Sequence, residues 1–117
     1  MDEFKTNKDK IIEIVCKIYN VSFDTVNTKR RYNEYVEVRQ AICYFVKKEN
    51  PNMPLSVIGK LFTPPKHHAT VIYSIREYKN LISYSYRVRK ISGKIDAELF
   101  HNYNMDYNEI IDEYEKF

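Results

Sequence analysis

The sequence predicts an all-α fold, and three observations indicate it. Only two glycines and four prolines interrupt 117 residues, which favours long helices over a β fold with many turns. Apolar residues recur at intervals of three and four along most of the chain, which is the period of an amphipathic helix. The hydrophobic fraction of 44% is sufficient for one packed core.

The first helix is predicted at residues 7–19, with Asn7 as its cap. One apolar stripe defines its buried face, formed by Ile11, Ile14, Val15, Ile18 and Tyr19. A short turn of helix is expected at 22–26, with Phe23 and Val26 directed inward.

A predicted loop then carries three consecutive cations, Lys29, Arg30 and Arg31. Adjacent positive charges repel one another, so an anion lying across them would be favourable. Two interpretations are open: a solvated connector, or a clamp for phosphates or a DNA minor groove.

The next helix is predicted from Asn33 to about Lys48, with Arg39 one turn in from its start. Its inward side is formed mostly by Val36, Ala41, Ile42, Phe45 and Val46. Asn50-Pro51-Asn52 should end this helix and form a turn.

A short helix follows, with Pro54 expected at its first position, where a missing N–H costs no hydrogen bond. It steps through Leu55, Ile58, Leu61 and Phe62. Gly59 within it is unfavourable by ~1 kcal/mol relative to alanine. Close approach of a neighbouring helix would explain that glycine.

Thr63 is expected to cap a second, longer helix whose first turn contains Pro64 and Pro65. Helical spacing directs Val71, Ile75, Tyr78 and Ile82 towards the core. The opposite face should present Lys66, His67, Thr70, Tyr73, Ser74 and Glu77. Two helices joined by so short a turn must cross steeply, which predicts a helix-turn-helix whose second helix can enter a major groove.

The long helix is expected to pass Tyr84, to extend as far as Ile91 at most and to end at Ser92-Gly93. Residues 93–117 are then an acidic C-terminal extension of one or two helices. Their apolar positions are Ile95, Leu99, Phe100 and Tyr103, then Tyr107, Ile110, Ile111 and Tyr114. The extension either packs on the core or acts as an acidic arm that competes for the basic face or binds a protein partner.

Charge is distributed unevenly along the chain. Residues 41–94 contain ten Lys/Arg and two Asp/Glu, a net charge of +8, whereas residues 95–117 carry −6. A basic region around a helix-turn-helix is typical of a protein that binds the phosphate backbone. A Lys-rich solvated surface is the simpler alternative.

In order and spacing, the stretches 11–31, 38–49, 54–62 and 66–78 resemble the C-terminal DNA-binding domain (domain IV) of the bacterial replication initiator DnaA. That family has an apolar helix, a Lys-Arg-Arg loop, an Arg-Gln pair, a helix ending in Ile-Gly and Phe, and a signature closing Asp-His-Thr-Thr-Val. The resemblance implies a Trp-repressor-like helix-turn-helix domain over residues 1–92 that binds double-stranded DNA.

The resemblance also implies roles for individual residues. It assigns contacts with base edges to His67, His68, Ala69 and Thr70, and a contact with a base or a phosphate to Lys66. Backbone and minor-groove contacts fall to Lys29, Arg30, Arg31 and Arg39. The predicted DNA-binding set also contains Lys60, Tyr73 and Arg76.

The chain departs from the family pattern at several of these positions. Thr63-Pro64-Pro65 replaces a Gly-Gly pair, His67 replaces the aspartate of the signature, and Ala69 replaces its first threonine. Two further cations of the family's loop are missing at Asn33 and Glu37. Because aspartate accepts from cytosine N4 whereas histidine more naturally donates to purine N7 or a phosphate, the preferred DNA sequence should differ.

Enzymatic, metal and ATPase functions are not expected. Gly59 and Gly93 are too few glycines for a phosphate-cradling GxxxxGK[ST] loop. The adjacent histidines point roughly 100° apart on a helix and lack a second ligand pair for zinc. Cys16 and Cys43 lie on apolar stripes and are predicted to be reduced core residues. No cofactor is expected.

The sequence contains no apolar run of ~20 residues and does not begin like a signal peptide. We therefore expect a cytoplasmic, free-standing and monomeric protein of a bacterial or phage-infected cell. Its expected function is sequence-preferring DNA binding in replication or transcription, with a phage or mobile-element origin. The alternative is a structural or protein-interaction component that reuses the helix-turn-helix scaffold.

Overall fold

The computed structural model describes the backbone of residues 8–28 and 33–115, and the side chains of those ranges except residues 34 and 102–115. Over this part of the chain the fold is all-α, as predicted. The helices are α1 (Lys8–Tyr19), α2 (Phe23–Thr28), α3 (Asn33–Glu49), α4 (Leu55–Gly59), α5 (His68–Tyr84) and α6 (Tyr86–Glu115).

The predicted amphipathic α1 and the short α2 are both confirmed. Ile11 and Val15 of α1 and Val26 of α2 are fully buried in one common core. Asn7, the expected cap of α1, lies outside the described residues.

Helix α3 lies at the centre of the bundle, against α1, α2, α4 and α5. Ile42 and Phe45 are fully buried on it. As predicted, it ends before the Asn50-Pro51-Asn52 turn, where the Asn50 amide donates to the Val46 carbonyl at 3.1 Å. Lys47 Nζ donates to the carbonyls of Pro51 and Met53, at 2.8 and 2.9 Å, and so holds the turn that follows the helix.

The expected helix end at Ser92-Gly93 is wrong. The long helix instead breaks at Ser85, which has an extended backbone, and α6 continues without interruption through Gly93. Ser92, Ile95 and Leu99 are buried on its inward side. Continuous burial on both sides of Gly93 outweighs the ~1 kcal/mol helix penalty of glycine. The expected domain boundary after residue 92 therefore falls inside α6.

Ion pairs and a helix-end contact hold α6 to the bundle. Lys48 Nζ lies 2.9 Å from an Asp96 carboxylate oxygen, and Lys17 Nζ lies 4.0 Å from Glu98. Arg89 donates to the last carbonyls of α5, at 3.2 Å to Ile82 and 3.1 Å to Ser83. Together with the burial of Ile95 and Leu99, these contacts show that the first part of the acidic extension packs on the core.

A hydrogen-bonded chain of side chains joins four helices. The Tyr19 hydroxyl of α1 donates to Glu37 Oε2 of α3 at 2.8 Å and lies 3.0 Å from the Tyr78 hydroxyl of α5. Since the Tyr19 proton is used on Glu37, Tyr78 donates to Tyr19. Arg87 of α6 pairs with both oxygens of the Glu37 carboxylate. This tyrosine–glutamate–arginine chain ties α5 to the rest of the fold.

The prediction of two free cysteines in the core is confirmed, since Cys16 and Cys43 are both buried and form no disulfide with each other. Burial raises the pKa of the Cys16 thiol to about 11 and that of Cys43 to about 12. Both thiols therefore remain protonated, and poorly nucleophilic, at neutral pH.

These pKa values predict an alkaline loss of stability. Unfolded thiols ionise from about pH 8.5, whereas the folded thiols keep their protons. The unfolded state therefore binds fewer protons, and the free energy of unfolding should fall between about pH 9 and 11. Urea titrations across this range check it. A Cys16→Ala/Cys43→Ala variant should show a shallower fall, and equal slopes would contradict the assignment.

Candidate nucleic-acid interface

The turn between α4 and α5 is closed by Gly59 and Lys66. The Lys66 N–H donates to the Gly59 carbonyl at 2.9 Å. A Cβ built on Gly59 would overlap the carbonyl oxygen of Lys66 and lie 3.1 Å from its carbonyl carbon. Glycine is therefore required by this backbone contact, and the expected reason, a neighbouring helix, is wrong.

The expected start of the second helix is also wrong. The cap of α5 is His67, whose ring Nδ1 accepts from the Ala69 N–H at 3.1 Å. Thr63 instead donates its N–H to the Asn27 side chain at 3.0 Å, and the Thr63-Pro64 peptide is cis. A residue that precedes proline is disfavoured in the helical region, so two consecutive prolines delay the helix. Pro54, expected at the first position of α4, also lies just before its helix, with an extended backbone and no side-chain cap.

The N-terminal tip of α5 faces solvent. All four of its predicted base-reading residues are exposed: His67, His68, Ala69 and Thr70. The two imidazole rings lie against each other, with centroids 4.1 Å apart. Four adjacent exposed residues at a helix start leave room for a partner that approaches end-on.

The outward face of α5 continues from this tip through Tyr73, which is 61% exposed, and Arg76. Ser74 was expected on the same face but is buried, and its hydroxyl contacts the Cys43 thiol. It lies three residues after Val71, on the inward side of the helix. The structure thus separates Ser74 from the other predicted surface residues.

Two lysines flank the turn. Lys60 is exposed at the end of α4. Lys66 is half-buried, and its ammonium lies 5.3 Å from the centre of the buried Phe62 ring. Both belong to the predicted binding set, and the structure places both beside the tip of α5.

The end of α2 lies against the same turn. Besides the bond from Thr63 to Asn27, the rings of Phe23 and Phe62 lie 6.1 Å apart. Helix α2 ends at Thr28, immediately before the cationic residues 29–31. Lys29, Arg30 and Arg31 themselves lie outside the described residues.

Arg39 lies beneath this surface and is 6% exposed. Its Nη1 donates to the Val26 carbonyl of α2 at 2.6 Å. This contact gives Arg39 a positioning role, because it holds the helix that leads into the basic residues against α3. A direct contact between Arg39 and DNA stays a prediction.

The sequence does not predict the role of Asn27 or the tyrosine–glutamate–arginine chain. Asn27 and Thr63 are 36 residues apart, and Glu37 and Arg87 are 50 apart, so local periodicity carries no signal for either contact.

In the described parts of the chain, no three His, Cys, Asp or Glu side chains are grouped as a metal site. None of the helices described is long and apolar enough to cross a membrane.

Comparison with known proteins agrees with this geometry. The chain is 33% identical over 72 residues to the chromosomal replication initiator protein DnaA of Mycoplasma pneumoniae, over 62% of this chain and 16% of that protein. For the Ureaplasma parvum protein the identity is 34% over 74 residues, or 63% and 16%. For the Bacteroides fragilis protein it is 37% over 71 residues, or 61% and 14%.

The chain therefore spans only a small part, 14–16%, of the length of these curated relatives. The family described as the bacterial dnaA protein helix-turn-helix matches residues 8–77, which run from the start of α1 through most of α5. Because this match covers more than half of the 117 residues, the chain belongs to the bacterial DnaA helix-turn-helix family.

Proposed function

We propose that this chain binds double-stranded DNA with sequence preference. The tip of α5 enters the major groove, and Lys29, Arg30 and Arg31 contact the neighbouring backbone or minor groove. The observation that carries the proposal is the exposed tip of α5 beside the end of α2, from which the basic residues follow. Membership of the family supports the same partner.

The stripe that continues the tip fits this docking. Tyr73 and Arg76 lie one and two turns beyond Ala69 on the outward face, where they can contact phosphates at the groove edge. The region 41–94 carries a net charge of +8, which attracts the DNA backbone over longer distances. A role in controlling replication or transcription follows for a domain of this kind.

A salt titration tests the proposal. Binding to a fluorescent duplex should weaken steeply as salt rises, because each phosphate contact releases counterions. The Lys29/Arg30/Arg31→Ala variant should lower the slope of log K against log salt by up to ~3 phosphate equivalents, and affinity by about tenfold or more.

The control removes the same charge elsewhere. Lys8, Lys10 and Lys94 are exposed on α1 and α6, outside the turn and the tip of α5. Their triple alanine variant should keep most of the slope. If both variants lose the same amount of slope and affinity, residues 29–31 contribute only through the net charge of the protein.

A second candidate is a protein-interaction component. Large aromatic side chains are exposed at the end of α5 and along α6, at Tyr84, Tyr86 and Phe100. Exposed aromatics of this kind are typical of protein contacts. Duplex binding that is weak and independent of salt, with a partner captured through these side chains, would favour this second function.

A further inference from the structure

We propose that the junction of α5 and α6, formed by residues 84–86, binds single-stranded nucleic acid by stacking bases on Tyr84 and Tyr86. The 17 residues of α5 place this junction ~25 Å from the tip of α5, so the site is distinct from the duplex surface. The inference goes beyond the proposed duplex binding and does not depend on it. Two observations carry it: a pair of exposed aromatic rings, and a stretch of cations that contains no carboxylate.

The two rings lie at one place on the surface. Tyr84 ends α5 and Tyr86 begins α6, with the extended residue Ser85 between them. Tyr84 is 69% exposed and Tyr86 is 68% exposed. An extended residue spans at most ~3.6 Å, so the Cα atoms of the two tyrosines are no more than ~7 Å apart. Neighbouring bases of one strand can therefore reach both rings.

Hydrogen bonds fix the junction between the two helices. The Ser85 N–H donates to the Leu81 carbonyl of α5 at 2.8 Å, and its hydroxyl oxygen accepts from the Val88 N–H of α6 at 3.3 Å. The Lys90 ammonium lies 5.8 Å from the centre of the Tyr86 ring. Aromatic side chains on a fixed backbone lose little freedom when a base stacks on them.

The chain around the junction is basic. Residues 78–92 contain four Lys or Arg and no Asp or Glu. All four are exposed: Lys79, Arg87, Arg89 and Lys90. Arg87 pairs with the Glu37 carboxylate, and Asp96, the next carboxylate along α6, pairs with Lys48. The remaining cations attract a polyanion to the two rings.

The outward face of α6 gives a strand room to lie beside the rings. Tyr86, Lys90, Gly93 and Ala97 follow one another at intervals of three and four, so they share one face of the helix. All four are exposed, and nothing lies within 4 Å of a Cβ built on Gly93. A backbone can therefore approach this face closely, with phosphates near Lys90.

The pairing of rings with cations favours a single strand over a duplex or a protein. Bases in a duplex are stacked on one another, whereas a single strand exposes base faces that stack on aromatic side chains beside a basic surface. A protein partner for a basic surface would be acidic, and it would need apolar area without needing aromatic rings. This difference can be measured.

The experiment is titration of fluorescent oligothymidylate and oligouridylate with the whole chain. Tyr84→Leu/Tyr86→Leu keeps apolar side chains but removes both rings, so strand affinity should fall about tenfold or more. Tyr84→Phe/Tyr86→Phe keeps the rings and should stay within about twofold of the wild type. The strand that binds more tightly identifies whether the site takes DNA or RNA. Circular dichroism verifies that both variants are folded.

Two controls separate stacking from attraction by charge. An abasic strand of the same length keeps the phosphates, and the wild type should bind it about tenfold more weakly, whereas the leucine variant should bind both strands equally. Phe100 is 69% exposed but lies ~21 Å further along α6 than Tyr86, beyond Asp96 and Glu98. Phe100→Ala should leave strand affinity unchanged.

Unchanged strand affinity in the leucine variant, or an equal loss in Phe100→Ala, would overturn the inference and leave these tyrosines to the protein contact described above. Duplex titration keeps the proposed function separate, since the tyrosine variants should bind duplex within about twofold of the wild type. If the wild type binds strands through Tyr84 and Tyr86 but binds no duplex, the proposed function fails and this inference stands.

Discussion

Gly59→Ala should lower the free energy of unfolding by about 2–3 kcal/mol, although alanine is normally the better helix former. The added methyl group would overlap the carbonyl oxygen of Lys66. That oxygen is part of the backbone of the turn, so it cannot rotate away as a flexible side chain would. The turn must shift or the hydrogen bond from Lys66 to Gly59 must break.

The same substitution should weaken DNA binding beyond its effect on stability. Lys66 immediately precedes His67, so a displaced turn moves the tip of α5 relative to α2. Urea denaturation gives the loss of stability, and duplex titration under conditions where the variant is folded gives the loss of affinity.

Gly93 provides a matched control. It is exposed in the middle of α6, and nothing lies within 4 Å of a Cβ built on it. Gly93→Ala should therefore raise the free energy of unfolding by about 0.5–1 kcal/mol. Gly59→Ala and Gly93→Ala with effects of the same sign would contradict the role of the Lys66 carbonyl.

Glu37→Ala should lower the free energy of unfolding by about 2 kcal/mol. The Glu37 side chain is only 15% exposed and accepts from Tyr19 and Arg87. Removing it takes a charged acceptor from the half-buried Tyr19 hydroxyl and removes the ion-pair partner of Arg87. Glu37→Gln keeps an acceptor for Tyr19 and should recover about half of the loss.

Arg87→Ala is the comparison for Glu37→Ala. Its side chain is 63% exposed, and solvent screens a pair of this kind to below about 1 kcal/mol. Chemical denaturation of the single variants and of Glu37→Ala/Arg87→Ala separates the ion pair from the tyrosine contacts. An Arg87→Ala loss as large as that of Glu37→Ala would show that the ion pair, and not the Tyr19 bond, carries the stability.

Most features that depend on contacts within about four residues follow from the sequence, although the start of α5 after the proline pair does not. The apolar stripe of α1 predicts its buried face, and Asn50-Pro51-Asn52 predicts the end of α3. The exposed histidines at the start of α5 were expected from their position after the proline turn. Each of these features depends on helical period or on local backbone restrictions, and both are determined by residues close together in the sequence.

Contacts between distant residues decided the rest. Gly93 does not end a helix because the core continues to bury Ile95 and Leu99 beyond it. The sequence places Arg39 among the cations expected to contact DNA. In the structure its side chain is 6% exposed, and its guanidinium donates to the Val26 carbonyl. Helical period and turn chemistry thus determine the class of fold and the motif. The burial of Arg39 and the continuation of α6 past Gly93 depend on atoms that only packing brings together.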